Sequence, residues 1–279
     1  MRWVICALVA LVLPPGAYAA DLDVLRGSQT VGPAYFTNWS GFYFGGQFSY
    51  GNGNANFSNA TQPLIAFSLR ELALENEQAP SMWPVLGRAG ADATGYGGFA
   101  GYNMQWQDLV LGAEANYTHT SLTMTSPSSP IARQTSAGGN IYDVTVVGTG
   151  MLRVTDFAQV RARAGWIFGN FLPYGFAGLV LGRGDYSVTS LVFGQQNPSS
   201  PPTVPCNNVI APNCLDFAFR NSIAQNSALL YGFSAGVGLD YRLFSNIFLR
   251  GELEYVQFAP ISKIVASITS ARGGVGVRF

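Results

Sequence analysis

The only histidine of this 279-residue chain, His119, stands two positions before Ser121. In an extended strand residues i and i+2 share a face. An imidazole there could take the proton of a serine hydroxyl if a third group oriented the ring. No acidic residue follows until Asp143, so the spacing alone leaves the pair without its carboxylate. A larger set of chemistry-bearing residues recurs at strand spacing opposite apolar faces: Glu114, Arg161, Arg163, Asp240, Arg250, Glu252, Glu254 and Arg272, with Arg278 in the same phase. Charges of both signs turned inward can neutralise one another, whereas a buried charge without a partner costs several kcal/mol. Such a set either fills an interior or lines a thin conduit. Two further residues, Cys206 and Cys214, lie close together and near Pro205 and Pro212. In an exported protein they are expected to form a disulfide, a local staple worth about 2–3 kcal/mol at most. No metal cluster is expected, because His119 is far from both cysteines, and no phosphate-binding Gly-rich loop with Lys and Ser/Thr occurs, so no cofactor is expected.

The elements that must position these residues are strands. The chain is 48% hydrophobic and only 11% charged, well below the ~25% charged of an ordinary soluble domain. Its formal net charge of +0 argues against nucleic acid as a partner. No internal apolar run reaches the ~20 residues of a membrane-spanning helix, so a spanning structure must use alternating strands. Residues 39–50 alternate Phe42, Phe44, Gly46, Phe48 and Tyr50 against Tyr43, Gly45, Gln47 and Ser49. A second strand covers 93–106, with Phe99 out of place on its polar face, and a third covers 109–118 after a turn at Gln107-Asp108. A fourth covers 156–168. Gly169-Asn170 turns the chain into a fifth, 171–186, which is apolar on both faces and so leaves its register open. A sixth sets Leu229, Tyr231, Phe233, Ala235, Val237, Leu239 and Tyr241 on one side. A turn at 244–246 leads to a seventh carrying Ile247, Leu249, Leu253 and Tyr255 opposite Arg250, Glu252 and Glu254. The eighth ends the chain: Val275, Val277 and Phe279 face one way and Arg272 and Arg278 the other.

Connections 2–3, 4–5 and 6–7 are tight, whereas residues 51–92, 120–150 and 187–227 read as long polar loops and 259–266 as a moderate one. Within the first loop, Ser68 to Gln78 reads as a short exposed helix with Leu69, Leu72 and Leu74 on one side. Tight turns at one end and long loops at the other describe an all-β, eight-stranded antiparallel up-and-down transmembrane barrel with its short turns in the periplasm. Arg2, the apolar stretch from Trp3 to Leu13 and Ala17-Tyr18-Ala19 have the layout of a secretory signal, 1–19, cleaved before Ala20. Residues 20–38 then form a periplasmic lead-in and 39–279 the barrel. Cys6 lies inside the apolar stretch rather than at the cleavage point, which argues against a lipid anchor.

Asn38-Trp39-Ser40-Gly41-Phe42-Tyr43-Phe44-Gly45-Gly46 resembles the first strand of small porin-like, opacity-type outer-membrane barrels of Gram-negative bacteria. The stretches Gly97–Trp106, Leu111–Glu114, Leu172–Gly175, Glu252–Tyr255 and Arg272–Phe279 resemble that family's later strands. The resemblance implies an outer-membrane surface protein without a catalytic motif. Its partners would be outer-membrane lipid and lipopolysaccharide, extracellular ligands met through the loops, and the barrel-assembly machinery, which would read Val275, Val277 and Phe279. The principal expectation is therefore a non-enzymatic envelope and surface-contact protein. The alternative is a narrow porin-like channel for ions or small solutes. A third reading, in which His119 and Ser121 resemble the His-x-Ser pair of outer-membrane lipid A deacylases, needs a carboxylate from elsewhere in the chain.

Overall fold

A computed structural model describes residues 38–198, Cys206 and 214–279. The expected signal and most of the lead-in lie outside the described residues. Nine strands form one antiparallel sheet: β1 (Gly41–Asn56), β2 (Arg88–Trp106), β3 (Leu109–Ser126), β4 (Ile131–Ala137), β5 (Asn140–Trp166), β6 (Phe171–Gln196), β7 (Leu215–Arg242), β8 (Ile247–Phe258) and β9 (Val265–Arg278). Neighbours pair in chain order, β1 pairs with β9, and β3 pairs with β5 past β4. Eight strands therefore close a ring, and β4 is added outside it, on β5 alone. Closure leaves the ring without an edge, as a structure surrounded by hydrocarbon requires.

The alternation follows the sequence. Phe42, Phe44, Phe48, Tyr96, Val160, Leu179, Leu229, Phe233 and Leu253 are exposed on the outside, where a soluble protein would seldom place so many. Trp106, Trp166, Phe168, Phe171, Phe244 and Phe279 gather outward near the tight turns, and Tyr50, Tyr96, Tyr117, Tyr231 and Tyr255 lie outward nearer the other end. These are the two aromatic girdles of a membrane band ~25 Å tall. The turns at 107–108, 167–170 and 243–246 are short, and Gly169 adopts a positive φ of 60° that glycine accommodates without strain.

Three expectations need correction. First, 120–150 and 187–227 are not simply loops. β5, β6 and β7 run for 27, 26 and 28 residues, whereas ~9–11 cross a bilayer. The excess, with β4, builds a sheeted dome beyond the membrane band. Its Ser/Thr/Gly-rich alternation looks like loop sequence because only one face meets a core. Second, the Ser68 to Gln78 stretch is not one exposed helix. It belongs to α1 (Gln62–Leu69) and α2 (Ala73–Gln78), broken at Leu72, whose ψ of 139° is extended. A 3-10 turn, Pro80–Met82, follows. Ile65, Leu69 and Leu74 are fully buried against Trp83, Val85, Tyr142, Val144, Val146 and Val192, so the helices cap the dome. Third, Phe99 is not misplaced: it is buried inside the barrel. Cys206, in the β6–β7 connection, is disulfide-bonded to Cys214, which immediately precedes β7, with Cα atoms 5.1 Å apart.

Candidate functional site

The barrel interior is the densest cluster of functional groups among the described residues. Glu114 on β3, Arg161 and Arg163 on β5, Asp240 on β7, Arg250, Glu252 and Glu254 on β8, and Arg272 on β9 all point inward and are nearly fully buried. Cross-strand register brings them together: Glu114 lies opposite Arg161, Asp240 opposite Arg250 and Glu252 opposite Arg272. Arg161 bonds Glu114 through Nε at 3.0 Å and through Nη2 at 2.6 Å, and the same Nη2 reaches Glu252 at 2.6 Å. Arg250 grips Asp240 with Nε and Nη2 at 2.9 and 3.1 Å and reaches Glu114 with Nη1 at 2.7 Å. Arg163 bonds Asp240 at 2.7 Å, and Arg272 pairs with Glu254. Four guanidiniums thus meet four carboxylates, and the set is neutral.

The aromatic part of this network is not apparent from charge patterning. Tyr43 donates to Glu114 at 2.8 Å and Tyr174 to Glu252 at 2.5 Å. The rings of Phe99, Tyr174 and Phe176 lie under the guanidiniums of Arg250, Arg163 and Arg161 at 4.0, 3.7 and 4.1 Å. Aromatic faces attract weakly hydrated guanidiniums, most strongly where water is excluded. The signal was present as aromatics on Gly-rich polar faces. Gly238 shows the need for glycine there, because a Cβ would come within 2.4 Å of the Tyr174 ring.

Apolar layers close the network at both ends. Towards the tight turns, Trp39, Val110, Leu172 and Phe248 form a floor with the network's own aromatics. Arg278 belongs to that rim rather than to the network: it is half-buried and bonds the Ser245 carbonyl at 3.2 Å. Towards the dome, Phe57, Leu86, Leu122, Met124, Leu152, Val154, Val188, Leu230, Val256 and Phe258 are buried in one continuous core.

His119 and Ser121 lie outside, as their phase indicates. The carboxylate absent from the neighbouring sequence arrives from β5: Asp156 pairs with His119 in register, Oδ1 to Nδ1 at 2.7 Å, and also accepts from Tyr117 Oη at 2.6 Å. Ser121 Oγ is instead bonded by Arg153 Nη2 at 3.4 Å, and no Ser121–His119 hydrogen bond occurs among the described residues. A base oriented by an acid is present; its contact with the nucleophile is not. No group of three metal-ligating side chains occurs among the described residues. Val275 and Phe279 are exposed outward, and the Phe279 ring stacks on Phe44 at 5.5 Å.

A closed ring with a lipid-facing exterior, two aromatic girdles and a neutral interior defines an integral outer-membrane β-barrel. The chain belongs to the family described as outer membrane protein beta-barrel domain, which it matches over residues 30–279. It therefore resides in the outer membrane, with its short turns in the periplasm and its dome outside the cell. No curated protein sequence matches it. Among solved structures it is similar to Ail of Yersinia pestis in complex with a heparin analogue, at 10% identity over 86% of this chain and 99% of that one, TM-score 0.34. It is also similar to Neisserial surface protein A, at 14% identity over 86% and 98%, TM-score 0.36. The N-terminal barrel domain of Pseudomonas aeruginosa OprF matches at 15% identity over 84% and 99%, TM-score 0.25.

Proposed function

We propose that this protein is a closed, non-enzymatic surface barrel that anchors its dome in the outer membrane and meets extracellular partners through it. The observation that supports this reading is the dry core standing directly above the charge network. An ion crossing the barrel would have to pass both the paired arginines and a layer of fully buried Leu, Met, Val and Phe side chains. Eight strands leave room mainly for side chains, and here the side chains are large and paired in charge. The test is ion flux from proteoliposomes containing the purified protein. Flux at the protein-free rate agrees with closure; flux proportional to protein content shows the narrow channel instead.

The lipid A deacylase reading is favoured by one observation, the His119–Asp156 bond, and opposed by the direction of Ser121 towards Arg153. Incubating the protein with lipid A and measuring released fatty acid decides between them. The surface-barrel reading expects no release. Release that is abolished by His119→Asn would establish the enzyme.

A further inference from the structure

The dome leaves one strand edge open. β7 runs past the top of β8: its pairing with β8 begins at Gly232, whereas Leu215 to Gln225 pair with β6 alone among the described residues. The opposite edge of the dome sheet is protected. β4 is short and α2 covers it, with Gln78 Nε2 donating to the Ser136 carbonyl at 3.1 Å and the Gly138 N–H to Glu77 at 3.1 Å. An open edge is a row of unpaired N–H and C=O groups that another strand can complete, and proteins commonly blunt it with lysine, proline or a bulge. Leu215 to Gln225 contains neither lysine nor proline, and the irregularity in its pairing with β6 comes only below Gln225.

The edge is complementary to itself. Phe217 and Phe219 stack at 6.0 Å on the side of α1, where a hollow of about 420 Å³ opens beside Phe219, with Phe67 and Leu72 across it. Asp216, Ala218 and Arg220 are exposed on the other side. Asp216 and Arg220 are the only charges between Leu215 and Gln225. Two identical strands paired antiparallel are related by a twofold axis, so positions equally far before and after the axis face one another. An axis at Ala218 sets Asp216 opposite Arg220 and Phe217 opposite Phe219, each of them twice. Opposite charges and aromatic pairs directly across from one another stabilise neighbouring strands. No other centre brings the two charges together.

The direction of that axis decides where the second copy stands. A twofold axis relating antiparallel strands of one sheet is perpendicular to the sheet. Here β7 continues the barrel wall from the dome to the periplasmic turn, so the axis lies along the membrane and turns the second barrel upside down. The second copy must therefore sit in a membrane that faces the first. Ala218 is about eleven residues beyond the outward, lipid-facing Leu229; at ~3.3 Å per residue and a tilt near 40° this is ~28 Å, which places the facing membranes ~55 Å apart. We propose that Leu215 to Gln225 of β7 pairs antiparallel with the same edge of a second copy, centred on Ala218, and so joins two cells. Each contact is small, and many between two surfaces act together. The inference rests on the surface-barrel reading for the dome's place outside the cell, and makes its partner a second copy of this chain.

The test places the full chain in the outer membranes of two bacterial populations that lack O-antigen and carry different epitope tags. Ala218 meets its own copy at the axis, within the Cα range that a disulfide allows. Mixed populations carrying Ala218→Cys should therefore give, under mild oxidation, a dimer containing both tags. Ser222→Cys, on the same face but away from the axis, should give about ten-fold less or lower still. Cells with Asp216→Arg should not clump among themselves, nor should cells with Arg220→Asp, but the two mixed should clump as wild type does, because every facing pair then regains opposite charges. A role confined to folding of the single chain would give no such rescue. Each variant is first shown to run as a folded barrel on unheated gels. A cross-link confined to one tag overturns the facing-membrane geometry, and mixed charge variants that stay dispersed overturn the register. Absence of any Ala218→Cys dimer overturns the second copy and leaves the edge to a foreign strand. An ion-tight barrel that forms no dimer sinks this inference and spares the surface-barrel reading, whereas ion flux sinks that reading.

Discussion

Glu114→Ala is the substitution that most severely tests the lumenal network. Glu114 is bonded by Arg161, Arg250 and Tyr43 and lies 3.5 Å from Arg163. Its removal leaves four guanidiniums facing three carboxylates in a space sealed by apolar layers. Removing one partner from a buried ionic set costs about 3–5 kcal/mol, because the remaining charge keeps its desolvation penalty. At an m-value near 3 kcal/mol per M, the urea midpoint should fall by about 1–1.7 M. The assay is urea unfolding in phospholipid vesicles, followed by tryptophan fluorescence and by the shift between unheated and boiled gels. Glu114→Gln, which keeps the volume and an acceptor for Tyr43, should lose less. Glu114→Ala combined with Arg250→Met restores three charges of each sign and should cost less than the sum of the single changes, by about 1 kcal/mol or more. An unfolding free energy within about 0.5 kcal/mol of wild type for Glu114→Ala would refute the reasoning, since water would then be solvating the interior.

Gly238→Val should destabilise the barrel by about 2 kcal/mol or more, since its Cβ would meet the Tyr174 ring at 2.4 Å beneath Arg163; the same urea titration measures it. Phe279→Ala removes the stack on Phe44 but no buried contact. It should leave the unfolding free energy within about 1 kcal/mol of wild type while lowering the amount assembled in the outer membrane, as membrane fractionation would show. Replacing Cys206 and Cys214 by Ser opens a loop of eight-residue separation at the dome. The expected outcome is an unchanged barrel midpoint with faster proteolysis of the β6–β7 connection. Leu69→Asp in α1 places a charge among fully buried dome side chains and should expose the α1–α2 segment to protease without unfolding the membrane band.

Period-two alternation was enough to read the transmembrane half of the fold, because one face of every strand is constrained by lipid and the other by a polar lumen. The eight charged lumenal positions were legible for the same reason: Glu114, Arg161 or Glu252 on a strand whose other face is Leu, Val or Tyr can point only inward. The inward aromatics were harder. Phe99, Tyr174 and Phe176 are apolar by type, so alternation sets them against their neighbours until the cation they cover is seen. The dome was missed where both faces carry small polar residues. In 141–154, Tyr142, Val144, Val146 and Leu152 do alternate, but Thr145, Gly148 and Thr149 weaken the pattern. The partnership of His119 with Asp156 was invisible because it depends on the register of β3 against β5, which sequence spacing does not carry.

Single-channel recording in a planar bilayer tests the central claim most directly. Wild-type protein, first shown to be folded by its faster migration unheated than boiled, should give no discrete current steps in symmetrical salt, because the dry core and the neutral network leave no continuous water path. Discrete steps whose size rises with salt, and whose ion selectivity changes in Arg161→Gln or Glu252→Gln, would contradict a closed barrel and make those lumenal residues the lining of a channel.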